Sequence, residues 1–374
     1  MKQPKILFLA VIALLALVVV SCIPGTAQPT GGWSGPTVHD GIIYVGTRDG
    51  RVLAINSSTQ SQSWNYTISP ATTIYTTPIV DDDLVYVGSY SGQAYALTIG
   101  RGIERWVYPR TGSIGAIVGT PVVANETIYV SSSDGRVYAL DTTYGDLRWK
   151  SEPLGKPLAN KLWTSPAIMG DTLYISTFDG HIYALSMETG ALSDWSFESE
   201  AGFASSPAID ENTIYVGSFD RHLYAVEIGS NVSMWQFPQE KAAGNWFWAS
   251  PIVNEGIVYA GCLDGKLYAI AAKTGEKIWE FDAESPIVSS PVLIDNLLIL
   301  ANESGVVYVF DLSAEIRDEA VPLETISIGA DVRSSFCAHD GLVYIRSENN
   351  SIYVVDIDKG EVAEGWPVSL AIAK

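Results

Sequence analysis

The amino-acid sequence predicts an all-β protein, an eight-bladed β-propeller whose blades are four-stranded antiparallel sheets. One pattern recurs along the chain: a proline, an apolar stretch, a Tyr-Val-Gly run, a tight turn, a Tyr-Ala-Leu run and a tryptophan. Its copies begin 40 to 45 residues apart, which is a period typical of propeller blades. Short β-branched and aromatic runs between turn residues dominate the chain, and few stretches have the periodicity of a helix.

Three aligned positions define the copies. A leading proline precedes the predicted strand A, at Pro36, Pro78, Pro121, Pro166, Pro207, Pro251 and Pro291, with Phe336 in the eighth copy. A tyrosine marks strand B in most copies, at Tyr44, Tyr86, Tyr129, Tyr174, Tyr215, Tyr259 and Tyr344. A tryptophan closes strand D in six copies, at Trp64, Trp106, Trp149, Trp195, Trp235 and Trp279, and Trp366 stands late in the eighth. A single copy cannot cover its own aromatic side chains, so we expect the ring to close.

The turns within each copy are typical of short hairpins. Between strands B and C, several copies carry Asp-Gly, at Asp49-Gly50, Asp134-Gly135, Asp179-Gly180 and Asp264-Gly265. Glycine is favoured in such turns because they require a positive φ. We therefore expect each copy to be an up-and-down meander of strands A, B, C and D.

The segment between strands C and D indicates the repeat family. Ala139–Trp149 (ALDTTYGDLRW) and Ala269–Trp279 (AIAAKTGEKIW) resemble the Ala-x-Asp-x-x-Thr-Gly-x-x-x-Trp docking motif of PQQ-type (quinoprotein) repeats. Ala54–Trp64, Ala96–Trp106 and Ala225–Trp235 keep the same offset, and the resemblance covers about residues 34–367. Copy seven has Ser313–Glu324 in place of a closing tryptophan, and copy eight has Phe336 in place of proline. We expect irregular outer strands there.

The N-terminus predicts export and lipid anchoring. Two lysines precede the apolar run from Ile6 to Val20, and the following Ser21-Cys22 resembles the end of a bacterial lipobox. We interpret residues 1–22 as a lipoprotein signal peptide with lipidation at Cys22, residues 23–32 as a flexible tether and residues 33–374 as the propeller. The alternative is a plain signal peptide or a single anchor helix with an incidental cysteine. The predicted location is the outer face of the cell membrane or the outer membrane.

Charge and motifs exclude several classes of function. The chain has 22 Lys and Arg against 42 Asp and Glu, a formal charge of −20, which argues against binding nucleic acid. No nucleophile elbow, phosphate loop or zinc-type histidine spacing occurs, so we predict no metal site and no catalytic residues. A net negative charge by itself favours solubility and indicates no particular function.

The PQQ-type repeat family includes PQQ-dependent alcohol dehydrogenases, so a quinoprotein enzyme is an alternative. The resemblance implies that such enzymes add loops with a catalytic aspartate, a calcium site and usually a vicinal cysteine pair. Here Cys262 and Cys337 belong to copies six and eight, and the connections between copies are short. We therefore expect no cofactor and no catalysis. A small-ligand or PQQ-binding module, degenerate or active as a quinoprotein dehydrogenase, remains the alternative.

A binding face is predicted from the repeat register, because the D–A loops and B–C turns of a propeller lie on the same face. Three residues before each leading proline stand Trp33, Tyr75, Val118, Trp163, Ala204, Trp248, Val288 and Arg333, and Trp246 shares their parity. The B–C turns carry Arg48, Arg51, Arg136, Arg221 and Lys266, with His181 and His222. We predict an aromatic centre with a basic surround at the mouth of the central funnel. The alternatives are that the aromatics pack beneath the loops and that the basic residues are merely solvated.

The predicted function is partner binding without catalysis. Exposed aromatic and arginine side chains contribute strongly to protein interfaces, so the face suits a protein or peptide partner in the cell envelope, with a scaffold or assembly role. Eight PQQ-type blades behind a lipidated N-terminus are similar to the propeller lipoproteins of the bacterial outer-membrane β-barrel assembly machinery.

Overall fold

The structure, a computed structural model, describes residues 34–155, 162–230, 232–313 and 320–371. Over these residues the chain forms eight antiparallel sheets arranged as a closed β-propeller, which confirms the predicted fold class. The predicted signal peptide and tether, including Cys22, lie outside the described residues, as does Trp33. No helix long and apolar enough to cross a membrane occurs in the described part of the chain.

The first four blades follow one another along the chain, with strands A to D in sequence order. Blade one contains β1 (Thr37–His39), β2 (Ile42–Gly46), β3 (Arg51–Asn56) and β4 (Gln62–Thr67). Blade two contains β5 (Ile79–Asp81), β6 (Leu84–Gly88), β7 (Ala94–Thr98) and β8 (Glu104–Tyr108). Blade three contains β9 (Val122–Ala124), β10 (Thr127–Ser131), β11 (Val137–Asp141) and β12 (Leu147–Lys150). Blade four contains β13 (Ala167–Met169), β14 (Thr172–Ser176), β15 (His181–Ser186) and β16 (Leu192–Glu198).

The other four blades repeat this order, with one extra strand at the end. Blade five contains β17 (Ala208–Asp210), β18 (Thr213–Gly217), β19 (Leu223–Glu227) and β20 (Ser233–Phe237). Blade six contains β21 (Ile252–Asn254), β22 (Ile257–Gly261), β23 (Lys266–Ala271) and β24 (Lys277–Asp282). Blade seven contains β25 (Val292–Ile294), β26 (Leu297–Ala301), β27 (Val306–Asp311) and β28 (Glu324–Ser327). Blade eight contains β29 (Phe336–His339), β30 (Leu342–Ser347), β31 (Ser351–Asp356), β32 (Glu361–Val362) and β33 (Val368–Ser369).

The blades are held together by the closing tryptophans. The indole Nε1 of Trp64, on strand D of blade one, donates to the carbonyl of Ile99 in blade two at 2.7 Å. Four more tryptophans make the equivalent bond to the next blade at 2.7–2.9 Å: Trp106, Trp149, Trp195 and Trp235. A glycine receives the rings of Trp64, Trp106, Trp149 and Trp235 closely; a Cβ on Gly102, for example, would lie 2.3 Å from Cε3 of Trp64. The docking motif is therefore a contact between blades, as its resemblance implies.

Blades seven and eight depart from this pattern, as expected. In blade seven, Glu324 pairs with Val309, the register at which Trp64 pairs with Ala54 in blade one. In blade eight the outer edge is divided, because β32 and β33 both pair with β31. Trp366, the late tryptophan of copy eight, lies on neither part of this edge, because it stands between the two short strands.

The seam between blades eight and one explains the displacement of Trp366. Gln60 has φ +55° at the turn position where blades two, three, four and six have glycine, so a side chain occupies the place of a docked ring. The amide of Gln60 instead donates to the carbonyl of Glu364 at 3.1 Å. Trp366 packs with Val38 and Leu342 around the small core shared by the two blades. Among the described residues no strand is exchanged across this seam, so side-chain contacts close the ring.

Arg221→Gly should raise the free energy of unfolding by about 1 kcal/mol, because a left-handed backbone is strained for any residue with a Cβ. Arg221 has φ +72° in the B–C turn of blade five. The equivalent residues of six other blades are glycines with φ between 81° and 93°: Gly50, Gly92, Gly135, Gly180, Gly265 and Gly305. Urea unfolding measures the change. Arg221→Ala is the control, since it removes the same charge and keeps the strain; equal stability of the two variants would contradict the prediction.

Candidate partner-binding funnel

The segment that leads into strand A alternates between two environments. In blade two, Ile74 and Thr76 are buried within the sheet layer, whereas Tyr75 and Thr77 line a cavity on the propeller axis. This is the period of two expected of an extended chain. The same alternation occurs in the other blades, so the side chain at each predicted register position points toward the axis.

The predicted register positions come together in this cavity, which has a volume of about 150 Å³. Of the eight positions, seven are described, and all seven line it: Tyr75, Val118, Trp163, Ala204, Trp248, Val288 and Arg333. The large aromatic members are only partly buried, so they do not pack beneath the loops. We call this axial cavity and its mouth the funnel.

One side of the funnel is aromatic. Trp163 contacts Phe178 with ring centroids 5.5 Å apart, and Phe178 contacts Phe219 at 5.2 Å. Phe219 in turn contacts Trp246 at 5.1 Å and Trp248 at 6.1 Å, so rings from blades four, five and six form one cluster. Including the pair in blade two, we call the following residues the aromatic arc: Tyr75, Tyr90, Trp163, Phe178, Phe219, Trp246 and Trp248.

Sequence reasoning missed three members of the arc. Tyr90, Phe178 and Phe219 each stand at the second residue of a B–C turn, fifteen residues after a register position. The backbone amides at this position hold the turn against the preceding D–A segment, as in the bond from Tyr90 to the carbonyl of Thr73 at 3.0 Å. The same repeat alignment contains this second aromatic line and would have indicated it.

The other side of the funnel is charged. Arg333 lines the cavity, and its Nε donates to Oε1 of Glu303 in blade seven at 2.6 Å. Burial raises the pKa of the nearby Glu348, although Arg333, Arg346 and Arg48 act in the opposite direction. Arg346 is 2% exposed, and burial lowers its pKa to about 10. Acidic and basic groups therefore alternate on this side, rather than forming the basic surround predicted from the turns.

The predicted basic residues are divided between two places. Arg48 lies beside Tyr75 and is half-buried, and burial lowers its pKa. Arg221 is exposed on its turn. Arg51 is 7% exposed, because its Nη2 donates to the carbonyl of Leu370 at 2.6 Å and its Nε to Asp49 at 2.8 Å. Its placement on an open binding face is therefore wrong: it belongs to the seam.

Arg136 and Lys266 also turn away from the funnel. Nη1 of Arg136 donates to the carbonyl of Ser151 at 2.6 Å, and Nζ of Lys266 to Oε1 of Glu280 at 2.5 Å. Both residues stand at the beginning of strand C, where the side chain lies across strand D of the same blade. They are thus engaged at the outer part of the blade, a possibility that the turn sequences alone could not distinguish from a funnel position.

Below the aromatic layer, a ring of hydroxyl groups links the blades. In six successive pairs, a backbone N–H of one blade donates to the hydroxyl of the next at 2.8–3.2 Å, beginning with Gly35 to Thr77 and ending with Ser250 to Ser290. Ser335 adjoins Thr77 at 3.1 Å between hydroxyl oxygens. All of these hydroxyls line the funnel, and we call them the hydroxyl ring: Thr77, Thr120, Ser165, Ser206, Ser250, Ser290 and Ser335.

The residues of the funnel do not fit a quinone cofactor held by calcium. Calcium requires carboxylate and carbonyl ligands, and no Asp or Glu occurs among the described residues that line the cavity. Groups of three or more metal-binding side chains are also missing from the described ranges. Cys262 is fully buried in blade six and Cys337 lies in β29 of blade eight, and neither lines the funnel.

The fold and the axial site define a closed propeller of PQQ-type repeats with one funnel. The sequence model of the family described as outer membrane protein assembly factor BamB matches residues 24–237 and, in an overlapping match, residues 148–364. The chain belongs to this family. No curated protein sequence matched the chain.

Solved structures share the fold. BamB from Moraxella catarrhalis has a TM-score of 0.68 and 19% identity, over 86% of this chain and 93% of that chain. The computationally designed Ika8 protein has a TM-score of 0.72 and 16% identity, over 87% and 98% of the two chains. Quinohemoprotein alcohol dehydrogenase from Comamonas testosteroni has a TM-score of 0.66 and 14% identity, over 87% and 70%. These identities show a common fold and no more.

Proposed function

We propose that this chain is a non-catalytic scaffold lipoprotein of the cell envelope, and that its funnel binds a segment of a protein partner. The observation that carries the proposal is the convergence of aromatic, hydroxyl and guanidinium groups from different blades on one axial cavity. Membership of a family named for an assembly factor supports a scaffold role. The lipobox-like Cys22 supports anchoring to the cell membrane or the outer membrane.

The aromatic arc is suited to binding because its rings are held in place and, apart from the buried Phe219, remain partly exposed. Trp163 packs on Phe178 of its own blade, and Trp248 packs on Phe219 of the neighbouring blade, so their rings are ordered before a partner arrives. Pre-ordered aromatic side chains lose little conformational entropy on binding. They therefore contribute more affinity than flexible surface residues would.

The double variant Trp163→Ala, Trp248→Ala should lose partner capture from native membranes while its circular dichroism spectrum is unchanged. Each truncation is expected to weaken binding by about 2 kcal/mol, which is roughly 30-fold. Capture is measured by co-purification with the full-length chain and mass spectrometry. Tyr144→Ala is the matched control, because Tyr144 is 64% exposed on the C–D turn of blade three, at the opposite face. Equal capture by both variants would remove the funnel from the proposal.

The alternative, a small-ligand or quinone-binding module, rests on the fold shared with quinohemoprotein alcohol dehydrogenase. Incubation of the full-length chain with PQQ and calcium, followed by desalting, should leave no quinone absorbance on the protein. A stoichiometric quinone band would favour the alternative over the scaffold role.

A further inference from the structure

We propose that the segment bound by the funnel is the C-terminal end of a partner polypeptide. Its α-carboxylate would lie on the hydroxyl ring, and its last apolar side chain beside the aromatic arc. This inference rests on the proposed function and names the chemistry of the occupant. Four observations carry it: the hydrogen-bonding state of the hydroxyl ring, the charges that line the cavity, the volume of the cavity, and the distance between the hydroxyl ring and the aromatic arc.

The hydroxyl ring offers hydrogen-bond donors to the axis. Each of Thr120, Ser165, Ser206, Ser250 and Ser290 accepts a backbone N–H from the preceding blade. A hydroxyl that accepts one bond still has its own O–H to donate, and in the described part of the chain none of these five hydroxyls donates a hydrogen bond to another protein group. Accepting a bond also makes the O–H a better donor. The ring therefore suits a group that only accepts, as a carboxylate does.

The charges of the cavity favour an anion over a cation. The chain has 42 acidic residues against 22 basic ones, yet no Asp or Glu is found among the described residues that line the cavity. Its one charged lining residue within that part of the chain is Arg333. Glu303 already binds this guanidinium, but the Arg333 side chain is 48% exposed and keeps donors for a second carboxylate. Among the described lining residues an ammonium or metal cation would meet no carboxylate, and the neighbouring Glu303 is already paired with Arg333.

The size of the cavity favours a chain end. Its volume of about 150 Å³ is small beside ligand pockets of roughly 300–1,000 Å³. An internal acidic side chain would have to bring two flanking segments of backbone, each with N–H groups to satisfy. A terminal carboxylate brings only one flanking segment of backbone.

The two layers are separated by the reach of one or two residues. Thr77 follows Tyr75 by two positions, Ser165 follows Trp163, and Ser250 follows Trp248. Two residues of extended chain span about 7 Å. A carboxylate on the hydroxyl ring would therefore place the last side chain of the partner against the aromatic arc, where an aromatic or large aliphatic group would be buried.

The test compares two octapeptides that end in leucyl-phenylalanine, one with a free carboxylate and one with a C-terminal amide. Binding to the full-length chain in detergent is measured by calorimetry and by tryptophan fluorescence. The acid should bind at least tenfold more tightly than the amide. Equal affinities for the acid and the amide would overturn the inference, and so would binding of neither peptide. It would also be overturned if a neutral oligosaccharide, maltohexaose, bound at the same tryptophans and the peptides did not.

Two variants locate the effect. Ser165→Ala with Ser250→Ala should reduce the affinity for the acid to that for the amide, which itself should not change. Because those substitutions also remove acceptors for two backbone N–H groups, Arg333→Gln is the second variant, with an expected fivefold to tenfold loss confined to the acid. Arg110→Gln is its charge-matched control, on a side chain that is 79% exposed. Equal losses for acid and amide in Arg333→Gln would contradict the inference.

The outcomes separate this inference from the proposed function. If the unmutated chain binds both peptides with equal affinity and Trp163→Ala with Trp248→Ala abolishes that binding, the funnel is a binding site and the proposal of a terminal carboxylate is wrong. If neither peptide binds and the membrane partner is still captured through the funnel, the scaffold role stands and the inference falls.

Discussion

Gly145→Ala should lower the free energy of unfolding by about 3 kcal/mol, a large effect for a single added methyl group. Gly145 has φ +69°, which alone costs an alanine about 1 kcal/mol. An added Cβ would also lie 2.5 Å from Cδ2 of Trp106, whose ring is 6% exposed. The ring must then move away from the carbonyl of Thr142, to which its Nε1 donates at 2.7 Å.

The matched control for this variant is Gly112→Ala. Gly112 has a similar φ of +80°, but an added Cβ would meet nothing within 4 Å. The control variant therefore introduces only the backbone strain, and we expect its free energy of unfolding to fall by about 1 kcal/mol. Urea unfolding of both variants, followed by tryptophan fluorescence, gives the difference. Similar losses in the two variants would mean that docking of Trp106 contributes little to the contact between blades two and three.

Arg51→Met should lower the free energy of unfolding by about 2 kcal/mol and open the seam. A charge-assisted hydrogen bond to a buried carbonyl contributes roughly 1.5–3 kcal/mol, and methionine keeps most of the apolar volume. The guanidinium of Arg51 joins blade one to Leu370, which is 1% exposed and stands 319 residues later in the chain. Local opening is measured by hydrogen exchange of the amides of β33, whose protection should fall more than that of β31.

Arg136→Met is the control for the seam. Arg136 has the same register in blade three as Arg51 in blade one, but its Nη1 bonds to Ser151 within its own blade. Its side chain is 25% exposed, so we expect a loss of about 1 kcal/mol and no change in exchange at β33. If β33 stays protected in Arg51→Met, then the apolar core around Ile43 and Tyr344 closes the ring without the arginine.

Most of the fold was predictable because its signals are local. The turn glycines, the alternation of strand residues and the spacing from Ala54 to Trp64 are each patterns within one copy. They recur along the eight copies, which strengthens the prediction. The register positions of the funnel followed for the same reason, since topology carries equivalent residues to equivalent places. The bonds of strand-C residues were not predictable, because side chains such as Arg136 and Lys266 have several acceptors within reach.

The linear pattern of residues was sufficient for the number of blades, the order of their strands and the side chains that face the axis. Only the folded ring decided how its ends meet. The hydrogen bond from Arg51 to Leu370 exists because the rest of the ring brings these two distant residues together. No local sequence pattern predicts a contact between residues so far apart in the chain. The hydroxyl ring depends on the same closure. Each of its bonds crosses from one copy to the next. The ring, and the cavity whose described lining contains no Asp or Glu, therefore arise from packing between repeats rather than from any one of them.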